Sequence, residues 1–254
     1  DAVLRTAMPG HDGGMQGETR MAKLKVMCAR SMHVAVGELG QAFAKAAGHE
    51  IVFDFGTVGA LEAKLAAGET ADVVVLSIPG INKLEKAGAT VSGSRHNVAK
   101  TFIALCIREG ARKPDFATIE SFKRLVEGAK AIATSDPAVG GSAGVHLAKA
   151  FELAGWATMM KGKAMPQQTG AEVAKRVVEG KADFGLTLSG EVASVPGAAI
   201  AGPLPPPFGQ DTVYCAAVMA TSAAKEAAAA FIATLSRADT AAAWRKAGFE
   251  PPNS

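Results

Sequence analysis

Between residues 24 and 87, short apolar runs alternate three times with segments whose apolar residues recur at helical spacing. The runs are 24–29, 51–55 and 72–76, and the helical segments are 32–47, 60–67 and 81–87. The first helical segment carries Val36, Leu39, Phe43 and Ala46 on one face, and Gly48 follows where a helix end favours glycine. The third run, Val73-Val74-Val75-Leu76, is apolar without alternation, as expected of a strand covered on both faces. A β-α-β-α-β-α order predicts a parallel sheet with helices packed on it. Ligands of such sheets bind at the carboxyl ends of the strands. The loops at 29–33 and 56–59 therefore become the first places to look for a site.

A second set follows. Strands are expected at 101–108, 131–134 and 182–188, with helices at 121–128, 145–154 and 172–179. Two further strands, 198–201 and 212–220, flank the rigid connector Pro203-Leu204-Pro205-Pro206-Pro207, and helices at 222–235 and 240–247 finish the chain. Two α/β sets imply two lobes, each a mainly parallel sheet flanked by helices. We expect lobe 1 to hold 23–100 plus 203–254 and lobe 2 to hold 101–202, with the chain crossing twice and the lobes closing like a hinge. Residues 1–22, with Pro9, Gly10, Gly13 and Gly14 and no hydrophobic period, read as a flexible leader.

Charge and cysteine content narrow the function. The 27 basic and 24 acidic residues leave a net charge of +3 with no basic run, so a nucleic-acid partner is not expected. No stretch has the roughly 20 apolar residues that span a bilayer. Cys28, Cys106 and Cys215 each fall in an apolar run, lack CxxC spacing and are odd in number, which argues against a disulfide framework or a zinc site. No metal or cofactor is expected. HExxH and Walker patterns are absent. Gly140-Gly141-Ser142-Ala143-Gly144 spells GxSxG, but the preceding strand ends near Thr134 and the only later histidine is His146, so a hydrolase elbow is not expected.

One device recurs: a strand, then Gly, Ser or Thr, then a helix. The junctions are Ala29-Arg30-Ser31-Met32, Gly56-Thr57-Val58-Gly59 and Gly140-Gly141-Ser142-Ala143-Gly144. A helix start leaves backbone N–H groups unpaired and carries partial positive charge. Taken singly, each junction reads as a turn with an N-cap. Converging on one cleft, they would form an oxyanion or carboxylate site without formal charge.

Longer stretches carry a family resemblance. They are Phe53-Asp54-Phe55-Gly56-Thr57-Val58-Gly59-Ala60-Leu61, Ala66-Ala67-Gly68-Glu69-Thr70-Ala71-Asp72-Val73, Ala131-Ile132-Ala133-Thr134-Ser135-Asp136-Pro137, Val178-Glu179-Gly180-Lys181-Ala182-Asp183-Phe184-Gly185 and Lys246-Ala247-Gly248-Phe249-Glu250-Pro251. In these the chain resembles the molybdate-binding solute-binding proteins of ABC transporters, over about 23–252. The resemblance implies the α/β periplasmic-binding-protein type II fold and a small anion held between the lobes by two hydroxyls and backbone amides. Carried over by position, the hydroxyls fall on Ser31 and on Thr57, where the family usually has serine. The second lobe's helix-start amide falls on Ala143, between Ser142 and Gly144, and a further backbone contact falls on Gly170. Val58 follows Thr57 in the same turn and joins the ligand-binding candidates. The family's ligand-binding tyrosine falls on Leu188, which has no hydroxyl, and Arg30 is unusual beside the first hydroxyl. Both departures favour a carboxylate, which an arginine can hold in a bidentate pair.

The function implied is that of a solute-binding component delivering an anion to an ABC permease. The alternative is an isomerase of a small unsaturated polycarboxylate, since one branch of the family resembles aconitate isomerase and shares the loop style of 135–144. Such a reaction needs a base, for which His33 and Glu172 are the sequence candidates. A third reading is a cytoplasmic anion sensor. A periplasmic location goes with the transport reading, and a cytoplasmic one with a start at Met21.

Overall fold

The computed structural model describes residues 21–251. Apart from Met21 and Ala22, the expected leader lies outside the described residues. In the first part, β1 (Lys23–Ala29), α1 (His33–Ala47), β2 (Glu50–Gly56), α2 (Val58–Ala66), β3 (Val73–Ser77) and α3 (Ile78–Lys86) alternate as the sequence implies. A long β4 (His96–Arg108) then leads to α4 (Ile119–Gly128), β5 (Ile132–Ser135), α5 (Ser142–Leu153), α6 (Ala157–Met160), β6 (Ala164–Gln167), α7 (Gly170–Val178), β7 (Phe184–Leu188), α8 (Ser189–Ala193) and β8 (Ala198–Pro203). The chain ends with β9 (Asp211–Val218), α9 (Lys225–Leu235) and α10 (Ala241–Lys246).

The strands run in the order β2-β1-β3-β9-β4-β7-β5-β6, with β8 also on β4. Pairing is parallel within β2-β1-β3 and within β6-β5-β7, and antiparallel where β9, β4 and β8 join. β4 belongs to both lobes. Its first half pairs with β9, its second with β7 and β8. This is the two-lobed type II architecture. Each sheet is covered on both faces, and β3 shows why it had to be continuously apolar: Val73 and Val75 pack under α1 and α9, while Val74 and Leu76 pack under α2 and α3. Each such side chain, fully buried, contributes about 1.5–3 kcal/mol. Among the described residues no helix is long and apolar enough to cross a membrane.

Several elements differ from expectation, and three of the differences have a clear physical reason. β4 begins five residues before the expected 101, because Val98 and Ala99 are buried within a polar stretch that carries no apolar run. β6 was hidden by Pro166, which the structure tolerates because β6 is an edge strand. α8, five residues long, follows β7 directly and is too short to show a helical period. The three cysteines are free and buried, as apolar residues would be. Burial pushes the Cys106 thiol up to about 12 and the Cys28 thiol higher still, so neither is a thiolate at neutral pH.

Candidate functional site

The parallel strands of both lobes aim their carboxyl ends at one cavity of about 60 Å³. Ala29, Gly56, Ser135 and Leu188, which end β1, β2, β5 and β7, all line it. Arg30, Ser31, Thr57, Val58, Ser142, Ala143 and Gly170 line it too, so seven of the sequence-derived binding residues meet in one place. The three junctions do converge, and a fourth helix start, that of α7, joins them.

The starts differ in the donors they leave free. Thr57 caps α2 by accepting from the Ala60 amide at 3.2 Å, which leaves its hydroxyl proton to donate elsewhere. At the start of α5, Gly141 offers no side-chain cap, so the first amides have no local acceptor. Thr169 caps α7 in a capping box with Glu172, and the Glu172 carboxylate accepts from the Thr169 amide at 3.2 Å. Glu172 is therefore spent on the cap and does not line the cavity. Gly144 does not line it either. Its α-carbon presses on the Ser135–Asp136 main chain, where a Cβ would lie 2.8 Å from the Ser135 carbonyl oxygen, so the close seating of α5 requires glycine here. His33 also lies outside the lining. Its Nδ1 is 2.8 Å from the Arg30 carbonyl oxygen, and its ring meets Phe55 edge-on at 6.0 Å. Arg30 is exposed at the rim.

Among the lining residues that escaped the sequence reading, two carry chemistry that bears on the ligand. Leu188 does stand in the wall, buried and without a hydroxyl, but Tyr214 supplies one from β9. The Ser31 hydroxyl donates to the Tyr214 oxygen at 2.9 Å. Burial pushes the phenol well above its ordinary range, partly offset by the hydroxyls of Ser31 and, from the other lobe, Ser142. Tyr214 therefore stays a neutral donor between the lobes. It is the only tyrosine in the chain, inside an apolar strand, and nothing in its neighbourhood separated it from core.

The second is Glu191 on α8. It is 7% exposed, and its Oε2 has no hydrogen-bond partner. Burial raises its carboxyl above the ordinary 4.5; the charges of His33 and Arg30 and the Ala171 backbone amide act against that shift. Its signal was an acid inside the apolar stretch 184–195. A raised carboxyl costs stability with a definite sign. Below pH ~4.5 it is protonated folded and unfolded alike, and nothing is lost. As pH rises past that value the unfolded chain ionises before folded Glu191 does, so stability falls through that window and stays lower above it. Glu191→Gln should therefore melt at a higher temperature than the parent at pH 7 and at an equal one near pH 4. Melting curves at both pH values check this; an equal or lower melting temperature at pH 7 would contradict it.

Comparisons with known proteins bear on the fold and the family. The chain is 31% identical over 234 residues to an aconitate isomerase from Pseudomonas sp, covering 90% of this chain and 87% of that protein. Its fold is similar to the Azotobacter vinelandii periplasmic molybdate-binding protein, with a TM-score of 0.70 at 22% identity, covering 89% of this chain and 98% of the other. It is also similar to the sulfate-binding protein SubI from Mycobacterium tuberculosis H37Rv, with a TM-score of 0.71 at 17% identity, covering 91% and 87%. Residues 24–250 match the family described as bacterial extracellular solute-binding protein, and the chain belongs to that family.

Proposed function

We propose that this chain binds aconitate or a closely similar unsaturated polycarboxylate between its lobes and shifts the double bond from one carbon to the next. The observation that carries this reading is a formal cation, Arg30, at the rim of a cavity that four helix starts also face. One carboxylate suits the helix starts, and a second suits a guanidinium. A relative whose name states that chemistry, aligned over 90% of the chain, supports the reaction. The lobes we assign, 23–100 plus 203–254 against 101–202, are joined through β4 and the 203–210 segment, which would serve as hinges. Within an extracellular solute-binding family, we place the chain in the periplasm.

The second reading is a carrier that delivers an anion to an ABC permease. The fold shared with the molybdate-binding protein and the hydroxyls of Ser31, Thr57 and Tyr214 favour it. Incubation with trans-aconitate, followed by proton NMR, separates the two. Conversion supports the isomerase, whereas binding without conversion supports the carrier. A thermal-shift panel adds a third outcome: stabilisation by molybdate or sulfate and by no carboxylate would sink the polycarboxylate reading.

Tyr214→Phe removes the phenol and strands the Ser31 hydroxyl. A lost hydrogen bond of this kind costs about 0.5–1.5 kcal/mol. Calorimetry should show trans-aconitate binding weakened roughly 3- to 10-fold. Unchanged affinity would place the phenol outside the ligand's reach.

A further inference from the structure

The cavity contains a group that holding an anion does not require. Glu191 is more than nine-tenths buried, its Oε2 is unpartnered, and it lines a space otherwise furnished with anion donors. Its placement is supported from two sides. Gly170 makes room for it, since a Cβ there would lie 2.6 Å from Glu191 Cγ and 2.7 Å from its Cβ. The next residue, Ala171, turns its backbone amide toward the carboxyl at the start of α7, which favours the ionised form. Burial favours the proton-bearing form, and the charges of His33 and Arg30 act against it. The sequence candidates do not compete: Glu172 is tied into a cap, and His33 bonds the Arg30 carbonyl oxygen, outside the lining.

We propose that Glu191 is the acid–base residue that carries the migrating proton, an inference that rests on the isomerase reading above. Its carboxylate takes a proton from the methylene carbon of the bound polycarboxylate. The C–H bond breaks, an O–H bond forms, and the electron pair becomes a new carbon–carbon double bond. The former double bond opens onto its neighbouring carboxylate as a dienolate. That added negative charge falls where hydroxyls and helix-start amides are already oriented. The Glu191 O–H then gives its proton to the former vinyl carbon, the C–H bond forms, and the carboxylate is restored. The double bond has moved by one carbon, with no atom gained or lost and no oxidant required. One carboxyl suffices, because the two carbons flank a single central carbon.

The test compares the parent chain, Glu191→Gln and His33→Gln on trans-aconitate, with turnover followed by proton NMR and binding by calorimetry. General acid–base catalysis is worth about 10²–10⁴-fold. Glu191→Gln should lose turnover by that factor while binding trans-aconitate within tenfold of the parent, and His33→Gln should keep turnover within tenfold. The glutamine is nearly isosteric, and a melting temperature at or above the parent's is the check that the fold is intact. Glu191→Gln retaining a tenth or more of parental turnover would overturn the assignment. So would parallel loss of binding and turnover, which would make Glu191 a ligand-holding residue. A parent chain that binds trans-aconitate but neither isomerises it nor exchanges its methylene protons in deuterium oxide removes the isomerase reading itself, and this proposal with it.

Discussion

Gly190→Val should weaken trans-aconitate binding by two orders of magnitude or more and lower the melting temperature by about 5–10 °C. Gly190 lies beside Glu191 in α8, where the second lobe meets the first. A Cβ there would lie 2.5 Å from Phe249 Cζ and closer still to Cε2, and 2.9 Å from the carbonyl oxygen of Ser31. Neither obstacle can yield cheaply. Phe249 is buried, edge-on to Trp244 at 5.6 Å and to Tyr214 at 6.3 Å, and the Ser31 oxygen is main chain. α8 must therefore retreat, drawing Glu191 away from Ser31 and Tyr214 and loosening the bond from the Ser189 hydroxyl to the Gly248 carbonyl oxygen, 2.5 Å. Inserting methyl groups into a packed region costs about 1–3 kcal/mol each time, and each kcal/mol lowers the melting temperature of a chain this size by about 2–4 °C. Calorimetry and thermal melts check both parts, with Gly190→Ala expected between parent and valine. Binding by the valine variant within threefold of the parent would show that this contact does not shape the site.

The same contact explains what the sequence could and could not reveal. The lobes were legible because β3 and its neighbours bury both faces, and burial on both faces writes a continuous apolar run. The helix-start grip was legible because glycine and hydroxyl residues at strand ends have a local reason to be there. What lay hidden depends on pairing distant in sequence. Tyr214 enters the site because β9 runs antiparallel to β3 with Tyr214 opposite Ser77, a register no local pattern encodes. It restores from the first lobe a hydroxyl that Leu188 lacks, so the missing tyrosine argued less against an oxyanion than its position suggested. Glu191 depends on two glycines, Gly170 and Gly190, whose open sides face other elements. Glu172 and His33 drew attention by closeness to Gly170 and Ser31 in the chain, yet one is a cap and the other bonds a carbonyl.

Arg30 is then the residue on which ligand class turns. Arg30→Ala should weaken trans-aconitate binding about 10- to 100-fold, the range expected for losing a charge-assisted contact of about 1.5–3 kcal/mol. Because Arg30 is exposed at the rim, water and salt screen it, and the effect should fall toward the lower end as ionic strength rises. The helix starts of α2, α5 and α7 do not depend on it, so binding of sulfate or molybdate, if present, should weaken by much less. The two losses together separate a polycarboxylate site from a tetrahedral-oxyanion site. A guanidinium at the rim can reach a second carboxylate on an extended ligand, whereas a compact oxyanion is satisfied within the cavity. Titration of Arg30→Ala with trans-aconitate and with sulfate at low and high salt measures both. Unchanged affinity for trans-aconitate at low salt would exclude Arg30 from the site and leave the neutral donors alone to hold the ligand. Equal losses for the two ligands would show a general attraction for anions rather than a contact made to a second carboxylate.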